Sequence, residues 1–172
     1  ILYPHGKEDT SYSVLEGTKY LDNGSLASSV NLIELTLPTS LLEIRNDALT
    51  GLVNLEILNI PDDCELKTIG WHVLRGNDKI KTFKITSKVE TIDMMYGFYE
   101  FNSLEEFIVL EDNQNFKSID GVLYSKDETR LFLSPIAKTG SHTVSANTKI
   151  IENRAFSNSK LDEIILQEGL EY

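Results

Sequence analysis

A short phrase of apolar and polar positions recurs along the chain. In each copy an aliphatic residue is followed three residues later by a second large apolar residue, and two residues after that by a third. The copies start 23, 25, 24 and 57 residues apart, at Leu32, Leu55, Ile80, Leu104 and Leu161. A period in the low twenties is typical of a solenoid, in which each repeat forms one coil and contacts only its neighbours.

The phrase predicts a short strand with one buried face. Near its end apolar and polar residues alternate, as in Leu35-Thr36-Leu37. A period of two places successive side chains on opposite faces of a strand. With parallel strands stacked from coil to coil, the apolar residues would form continuous rows inside the solenoid.

A second pattern precedes the strand phrase. An aliphatic residue is followed four and five positions later by a small or medium residue and then a large one, as in Ile44 with Ala48-Leu49. The same pattern starts at Leu21, Ile69 and Ile151. Because the stretch is too short for an independent helix, we expect a single α or 3₁₀ turn in each coil.

The repeat that starts at Ile92 departs from this pattern. If one residue is inserted, Gly97-Phe98 takes the place of the small and large pair, and three aromatic residues lack a core position: Tyr96, Tyr99 and Phe101. Aromatic residues are enriched at interfaces. Packing over the irregularity, or at a junction with the segment that follows, is the alternative.

The period breaks between Val109 and Lys149. Two β-rich runs in this segment flank a polar Ser-Lys-Asp-Glu turn, which predicts a β-hairpin inserted between coils. The N-terminal residues resemble the end of this insert, so the chain is expected to be an excerpt of a longer array. We expect one solenoid over 1–172, with the end of an earlier insert at 1–20, repeats at 21–112, a hairpin insert at 113–147 and a repeat at 148–172.

Two segments carry a family resemblance. The coil that contains Ala155-Phe156 and the Asp-Gly-Val-Leu-Tyr sequence at 120–124 resemble the BspA-type leucine-rich repeat family. The resemblance implies an α/β, β-rich leucine-rich-repeat solenoid with short parallel strands, single helical or 3₁₀ turns and an inserted β-hairpin. It also implies a secreted or cell-surface protein similar to adhesins. The family often has Cys after the Ala-Phe pair, where this chain has Val53, Asn77 and Ser159.

Charge and cysteine content exclude several classes of function. The chain has 16 Lys and Arg against 27 Asp and Glu, a net charge of −11, which repels nucleic acid and anionic membrane surfaces. The lone Cys64 excludes an internal disulfide and a cysteine-based metal site. No run of 18 apolar residues is present, so we expect no membrane insertion.

No set of residues indicates catalysis. The histidines His5, His72 and His142 lie in different repeats without a partner four residues away, whereas a zinc site needs three or four converging ligands. Ser141-His142 lacks the context of a nucleophile elbow, and no glycine-rich phosphate loop occurs. We therefore expect no enzyme, no cofactor and no bound metal.

The strand phrases predict one surface for a partner. If Leu35 and Leu37 point inward, Glu34 and Thr36 point outward. The same alternation exposes a two-column stripe that continues through Ile57, Asn59, Thr82, Lys84, Glu106, Ile108, Glu163 and Ile165. Solenoids use such surfaces for partners. An ordinary solvated sheet face is the alternative.

The function expected from these observations is a non-catalytic binding module outside the cell or on its surface. It would recognise an extracellular protein or glycan through the stripe, in the manner of an adhesin, and would contact neither nucleic acid nor the membrane interior. The alternative is a structural spacer or an accessory domain of a larger surface protein.

Overall fold

The computed structural model of the chain describes residues 8–93 and 101–171. Within these ranges the chain forms short strands joined by turns, and no helix. One row of strands runs along the solenoid and consists of β1 (Ser11–Ser13), β3 (Glu34–Thr36), β5 (Ile57–Asn59), β7 (Thr82–Ile85), β9 (Glu106–Val109), β13 (Ser141–Thr143) and β15 (Glu163–Ile165). A second row consists of β2 (Tyr20–Leu21), β4 (Glu43–Ile44), β6 (Thr68–Ile69), β8 (Thr91–Ile92) and β14 (Ile150–Ile151).

Strands of the first row pair in parallel within three separate sheets, β1-β3-β5, β7-β9 and β13-β15. The register of β1, β3 and β5 aligns Tyr12 with Leu35 and Leu35 with Leu58, and β7 and β9 align Phe83 with Phe107. These aligned side chains point inward, as the alternation predicts, and Leu35, Phe83 and Phe107 are fully buried. We call the outward surface of this row the strand face.

Strands of the second row are two residues long and close the coil opposite the first row. β2, β4, β6 and β8 pair in parallel. Their second residues are aliphatic and buried, and they form one of the predicted rows inside the solenoid: Leu21, Ile44, Ile69 and Ile92. A main apolar core therefore extends from coil to coil between the two rows of strands. A second, smaller core contains Val122, Tyr124, Leu131, Val144 and Ala155.

The stretches around the small and large pairs form successive single turns whose hydrogen bonds join residues i and i+3, as in one turn of a 3₁₀ helix, and no helix forms within the described residues. In the second coil, the Ala48 N–H donates to Arg45 O at 3.2 Å and the Thr50 N–H donates to Asp47 O at 3.1 Å. Asp47 and Gly51, however, have φ values of +56° and +70°. Residues in the left-handed region interrupt a right-handed helix, so the turns follow one another without forming one.

These left-handed residues also connect neighbouring coils. The Gly24 N–H donates to Asn46 O at 3.3 Å and the Ser28 N–H donates to Thr50 O at 2.8 Å. Both donors have positive φ. The unusual backbone conformation thus directs N–H groups toward the next coil, where carbonyl groups accept them.

The insert consists of β10 (Phe116–Ile119), β11 (Val122–Ser125) and β12 (Arg130–Leu133). β11 and β12 pair antiparallel and form the predicted hairpin, while β10 adds a third antiparallel strand that the sequence pattern did not indicate. Asp120 and Gly121 link β10 to β11 with φ values of +48° and +75°, as expected for a two-residue type I′ turn. β12 pairs in parallel with β14, which returns the chain to the second row.

Candidate interaction surface

The strand face presents two rows of outward side chains. One row aligns Glu34 with Ile57 and, in the next sheet, Thr82 with Glu106. The other row aligns Thr36 with Asn59 and Lys84 with Ile108. Every predicted stripe residue in these strands is partly or fully exposed, and Glu163 and Ile165 are exposed on β15. The structure therefore brings the predicted residues of adjacent strands together in aligned pairs.

A hydrogen-bond network joins three of these residues across two coils. The Asn59 side-chain amide donates to Glu34 Oε1 at 2.8 Å and to Thr36 Oγ1 at 3.3 Å. This network fixes the orientation of the Glu34 carboxylate at the surface, and the second oxygen of that carboxylate remains available to an external donor.

The strand face also carries a basic residue, Lys84, and two exposed isoleucines. Lys84 Nζ lies 2.6 Å from Asp62 Oδ1, in the loop after β5. An exposed ion pair of this kind contributes only about 0.2–1 kcal/mol. Ile57 is 47% exposed and Ile108 is 41% exposed. They lie in different rows and are separated by β7, so each is an isolated apolar side chain among polar groups.

The aromatic residues near Ile92 divide into two groups. Tyr96 and Tyr99 lie outside the described residues. Phe101 is only 1% exposed and belongs to the main apolar core. Its side chain is not available to an external partner. Phe101 therefore packs in the core, and its interpretation as part of a partner-binding surface is corrected.

The insert meets the strand face at Glu106. The Phe107 N–H donates to Gly121 O at 2.9 Å, and Ser118 Oγ donates to Phe107 O at 2.7 Å. A Cβ atom added to Gly121 would lie 2.9 Å from Glu106 Cβ, so only glycine allows this approach. Sequence reasoning did not place the insert here, although the Asp-Gly turn signal marks the residues that make the contact.

Two polar grooves lie beside this contact. One has a volume of about 550 Å³ and is lined by Glu105, Glu106, Asp120, Gly121, Ala137, Lys138 and Thr139. A larger groove of about 820 Å³ follows the side of the coils, and its lining includes two ion pairs, Lys79 with Glu56 at 3.1 Å and Lys81 with Glu105 at 2.8 Å. Both grooves are shallow and open, and their polar groups are largely paired with one another.

The described residues contain no group of three or more His, Cys, Asp or Glu side chains that could hold a metal ion. Cys64 is buried, burial raises the pKa of its thiol, and its Sγ donates to Pro38 O at 3.4 Å. Of the histidines, His5 lies outside the described residues, His72 stacks on Trp71 at the surface, and His142 is buried. Across 8–93 and 101–171 no helix is long and apolar enough to cross a membrane.

Comparison with protein families identifies the repeat. The model of the BspA type leucine-rich repeat region matches residues 7–126 and 132–172, in six copies. The chain belongs to the BspA-type leucine-rich repeat family. The coil with its Ala-Phe pair and the Asp-Gly-Val-Leu-Tyr segment are thus features of a BspA-type repeat region. No curated protein matches the chain.

Three solved structures share the fold. A leucine-rich repeat protein from Eubacterium ventriosum has a TM-score of 0.71 at 22% identity, and the match covers 94% of this chain and 48% of that one. The pneumococcal vaccine antigen PcpA has a TM-score of 0.73 at 22% identity, with 94% and 46% covered. A leucine rich cell surface protein from Faecalibacterium prausnitzii has a TM-score of 0.53 at 18% identity, with 93% and 42% covered. This BspA-type chain therefore spans about half the length of the structures it resembles.

Proposed function

We propose that this chain is a non-catalytic recognition module of a secreted or cell-surface protein. It binds an extracellular protein or glycan through the strand face. Family membership supports this proposal, as does the fold shared with a bacterial cell surface protein and a vaccine antigen. Many weak contacts across a rigid surface, repeated from coil to coil, would give the affinity.

The observation that carries the proposal is the alignment of outward side chains on consecutive strands. Glu34 and Ile57 are direct neighbours in register, as are Lys84 and Ile108. Within each pair the two side chains are one strand spacing, about 4.8 Å, apart, so one pair places a carboxylate beside an exposed isoleucine and the other places an ammonium group beside one. Such a mixture of charged and apolar groups resembles the composition of transient protein interfaces.

The test is a binding assay with two matched quadruple variants. The first replaces Glu34, Ile57, Lys84 and Glu106 with Ala. The control replaces Lys67, Thr68, Glu90 and Thr91 with Ala, which lie on or beside β6 and β8 of the second row. Both are measured against immobilised matrix proteins and mucins, with a circular-dichroism melt to confirm folding.

We expect the strand-face variant to lose binding at an unchanged melting temperature, and the control to bind as the wild-type chain does. Equal binding by both variants would refute recognition through the strand face. If the wild-type chain binds no member of the panel, the spacer interpretation gains support.

A further inference from the structure

A buried histidine connects the insert to the first row of strands. His142 is the central residue of β13 and is 1% exposed. Its Nε2 lies 2.7 Å from the hydroxyl of Tyr124, which is fully buried on β11. This hydrogen bond joins two strands that are distant in sequence and belong to different sheets.

The other ring nitrogen faces a carboxylate without bonding to it. His142 Nδ1 is buried and has no hydrogen-bond partner within the described residues. Asp120 Oδ2 lies 3.7 Å away, beyond hydrogen-bond distance. The same oxygen pairs with Lys138 Nζ at 3.1 Å. Asp120 therefore already has a cationic partner, and a charge on the imidazole would compete with Lys138 for it.

The hydrogen bond to Tyr124 suits the neutral ring. In neutral imidazole one nitrogen donates and the other accepts, and the Tyr124 hydroxyl can act as donor or acceptor to His142 Nε2 at 2.7 Å. Protonation makes both ring nitrogens donors and places a positive charge on a buried ring. In the part of the chain that the structure describes, its Nδ1 has no acceptor within hydrogen-bond distance, because Asp120 Oδ2 lies 3.7 Å away and pairs with Lys138.

Other charged groups near this site are engaged elsewhere. Glu128, in the turn between β11 and β12, pairs with Lys117 and accepts from Ser145 Oγ at 2.6 Å. On the β15 side, Glu163 is aligned with Ser141 and exposed, and Asp162 Oδ2 accepts from the Gly140 N–H at 3.1 Å. Among the described residues, Asp120 and Lys138 are thus the charges that face the ring, and they have opposite signs.

We propose that the Tyr124–His142–Asp120 contact is an acid-sensitive latch, which holds the insert against the neighbouring strands while His142 is neutral and releases it when His142 is protonated. Burial lowers the pKa of His142, with Asp120 opposing and Lys138 reinforcing the shift. Because the folded-state pKa is depressed, the contact is fully stabilising above the ordinary pKa of His, about 6.5, and weakens as pH falls below it.

The coil itself does not require histidine at this position. In β1, Tyr12 pairs with Leu35 in the register in which His142 of β13 pairs with Ile164. Tyr12 cannot carry a positive charge. This position of the strand therefore accommodates a side chain other than imidazole. Of these two strands, β13 beside the insert is the one that carries histidine.

Release of the insert would also change the strand face, because Asp120 is adjacent to the residue that contacts β9. The next residue, Gly121, accepts the hydrogen bond from the Phe107 N–H and lies against Glu106. Loosening of the turn would therefore free the edge of β9. The amide of Phe107, on β9, reports on this junction, because it donates to Gly121 O of the insert.

The test is amide hydrogen exchange on the full chain at pH 7 and pH 5, corrected for intrinsic rates. We expect exchange at Phe107 to be faster at pH 5 than at pH 7, because protonation of His142 weakens the contact that holds the insert, with amides of β4 and β6 unchanged. His142→Gln should remove this pH dependence, whereas the control His72→Gln should keep it.

A second variant tests the proposal independently, in case His142→Gln does not fold. Lys138→Gln leaves Asp120 free to pair with the imidazolium, so it should raise the pKa of His142, measured by NMR titration, and reduce the opening at pH 5. The proposal is overturned if the wild-type chain shows no faster exchange at pH 5. It is equally overturned if Lys138→Gln lowers the pKa of His142 or leaves it unchanged.

Discussion

The buried side chain of Asn77 holds the backbone of Leu52 in the preceding coil. Asn77 Oδ1 accepts a hydrogen bond from the Leu52 N–H at 2.7 Å, and its Nδ2 donates to Leu49 O at 3.1 Å. The Asn77 amide satisfies two backbone groups that no water could reach.

We expect Asn77→Ala to lower the free energy of unfolding by about 2–6 kcal/mol, because two buried backbone groups would each lose a partner at about 1–3 kcal/mol. Urea denaturation followed by circular dichroism measures the change. Asn54→Ala is the control, since the exposed Asn54 amide donates to Val30 O at the surface, where water can replace it, and its loss should cost less than about 1 kcal/mol. Equal losses from the two variants would contradict a special role for the buried amide.

Replacing Gly121 or Gly140 with Ala distinguishes two energetic costs of an added Cβ atom, which are backbone strain at positive φ and steric contact with a neighbour. Both have positive φ, +75° and +79°, so Ala at either position incurs the left-handed penalty of roughly 1–2 kcal/mol. Only at Gly121 would the new atom also press on Glu106, since nothing lies within 4 Å of a Cβ at Gly140. Gly121→Ala should therefore be less stable than Gly140→Ala by about 1–3 kcal/mol. Thermal denaturation compares them, and a larger loss at Gly140 would show that the insert does not approach β9 closely.

Glu16, which lies between β1 and β2, makes the stability of the solenoid depend on pH. Hydrogen bonds from Ser40 and Thr39 in the next coil lower the pKa of Glu16 from 4.5 to about 2. A depressed carboxyl pKa adds stability that is complete above pH 4.5 and is lost as pH falls toward 2. Glu16→Gln should therefore melt below the wild-type chain at pH 7, with the difference closing toward pH 2. Glu90→Gln, at an exposed ion pair with Lys67, is the control, and a difference independent of pH would argue against the Glu16 carboxylate.

Cys64 should react with thiol reagents only when the chain opens. Its thiol is buried, burial raises its pKa, and thiolate is the reactive form. Maleimide labelling at pH 7 should follow the unfolding equilibrium and accelerate through the urea transition. A Thr139→Cys, Cys64→Ser double variant supplies an exposed thiol for comparison. Rapid labelling of native Cys64 would be inconsistent with the packed core.

Periodic apolar positions were sufficient to predict the coils, because burial depends on side-chain type and spacing. The inward positions of Leu35 and Phe83 and the hairpin of β11 and β12 follow from this pattern. The positive φ values in the turns do not follow from it, because they occur at residues other than glycine, such as Ser28, for which positive φ is uncommon. Local steric preference was overridden there by hydrogen bonds between coils.

The insert junction could not be predicted from the sequence for a different reason. Tyr124 and His142 are 18 residues apart, and their contact depends on how an aperiodic segment returns to the array. His142 consequently had no predicted partner. The two outward rows of the strand face depend only on alternation, so the sequence placed Glu34, Ile57 and Lys84 at the surface without indicating which of their neighbours restrain them.

The direction of the hydrogen bonds between coils has a mechanical consequence. In the turns, as at Gly24 and Ser28, N–H groups reach carbonyls of the next coil, so these bonds lie along the axis of the solenoid. Tension applied between its ends would load the coils in series, and the weakest junction would yield first while the others stay folded. The array would then lengthen stepwise, one coil at a time, and dissipate work at each step.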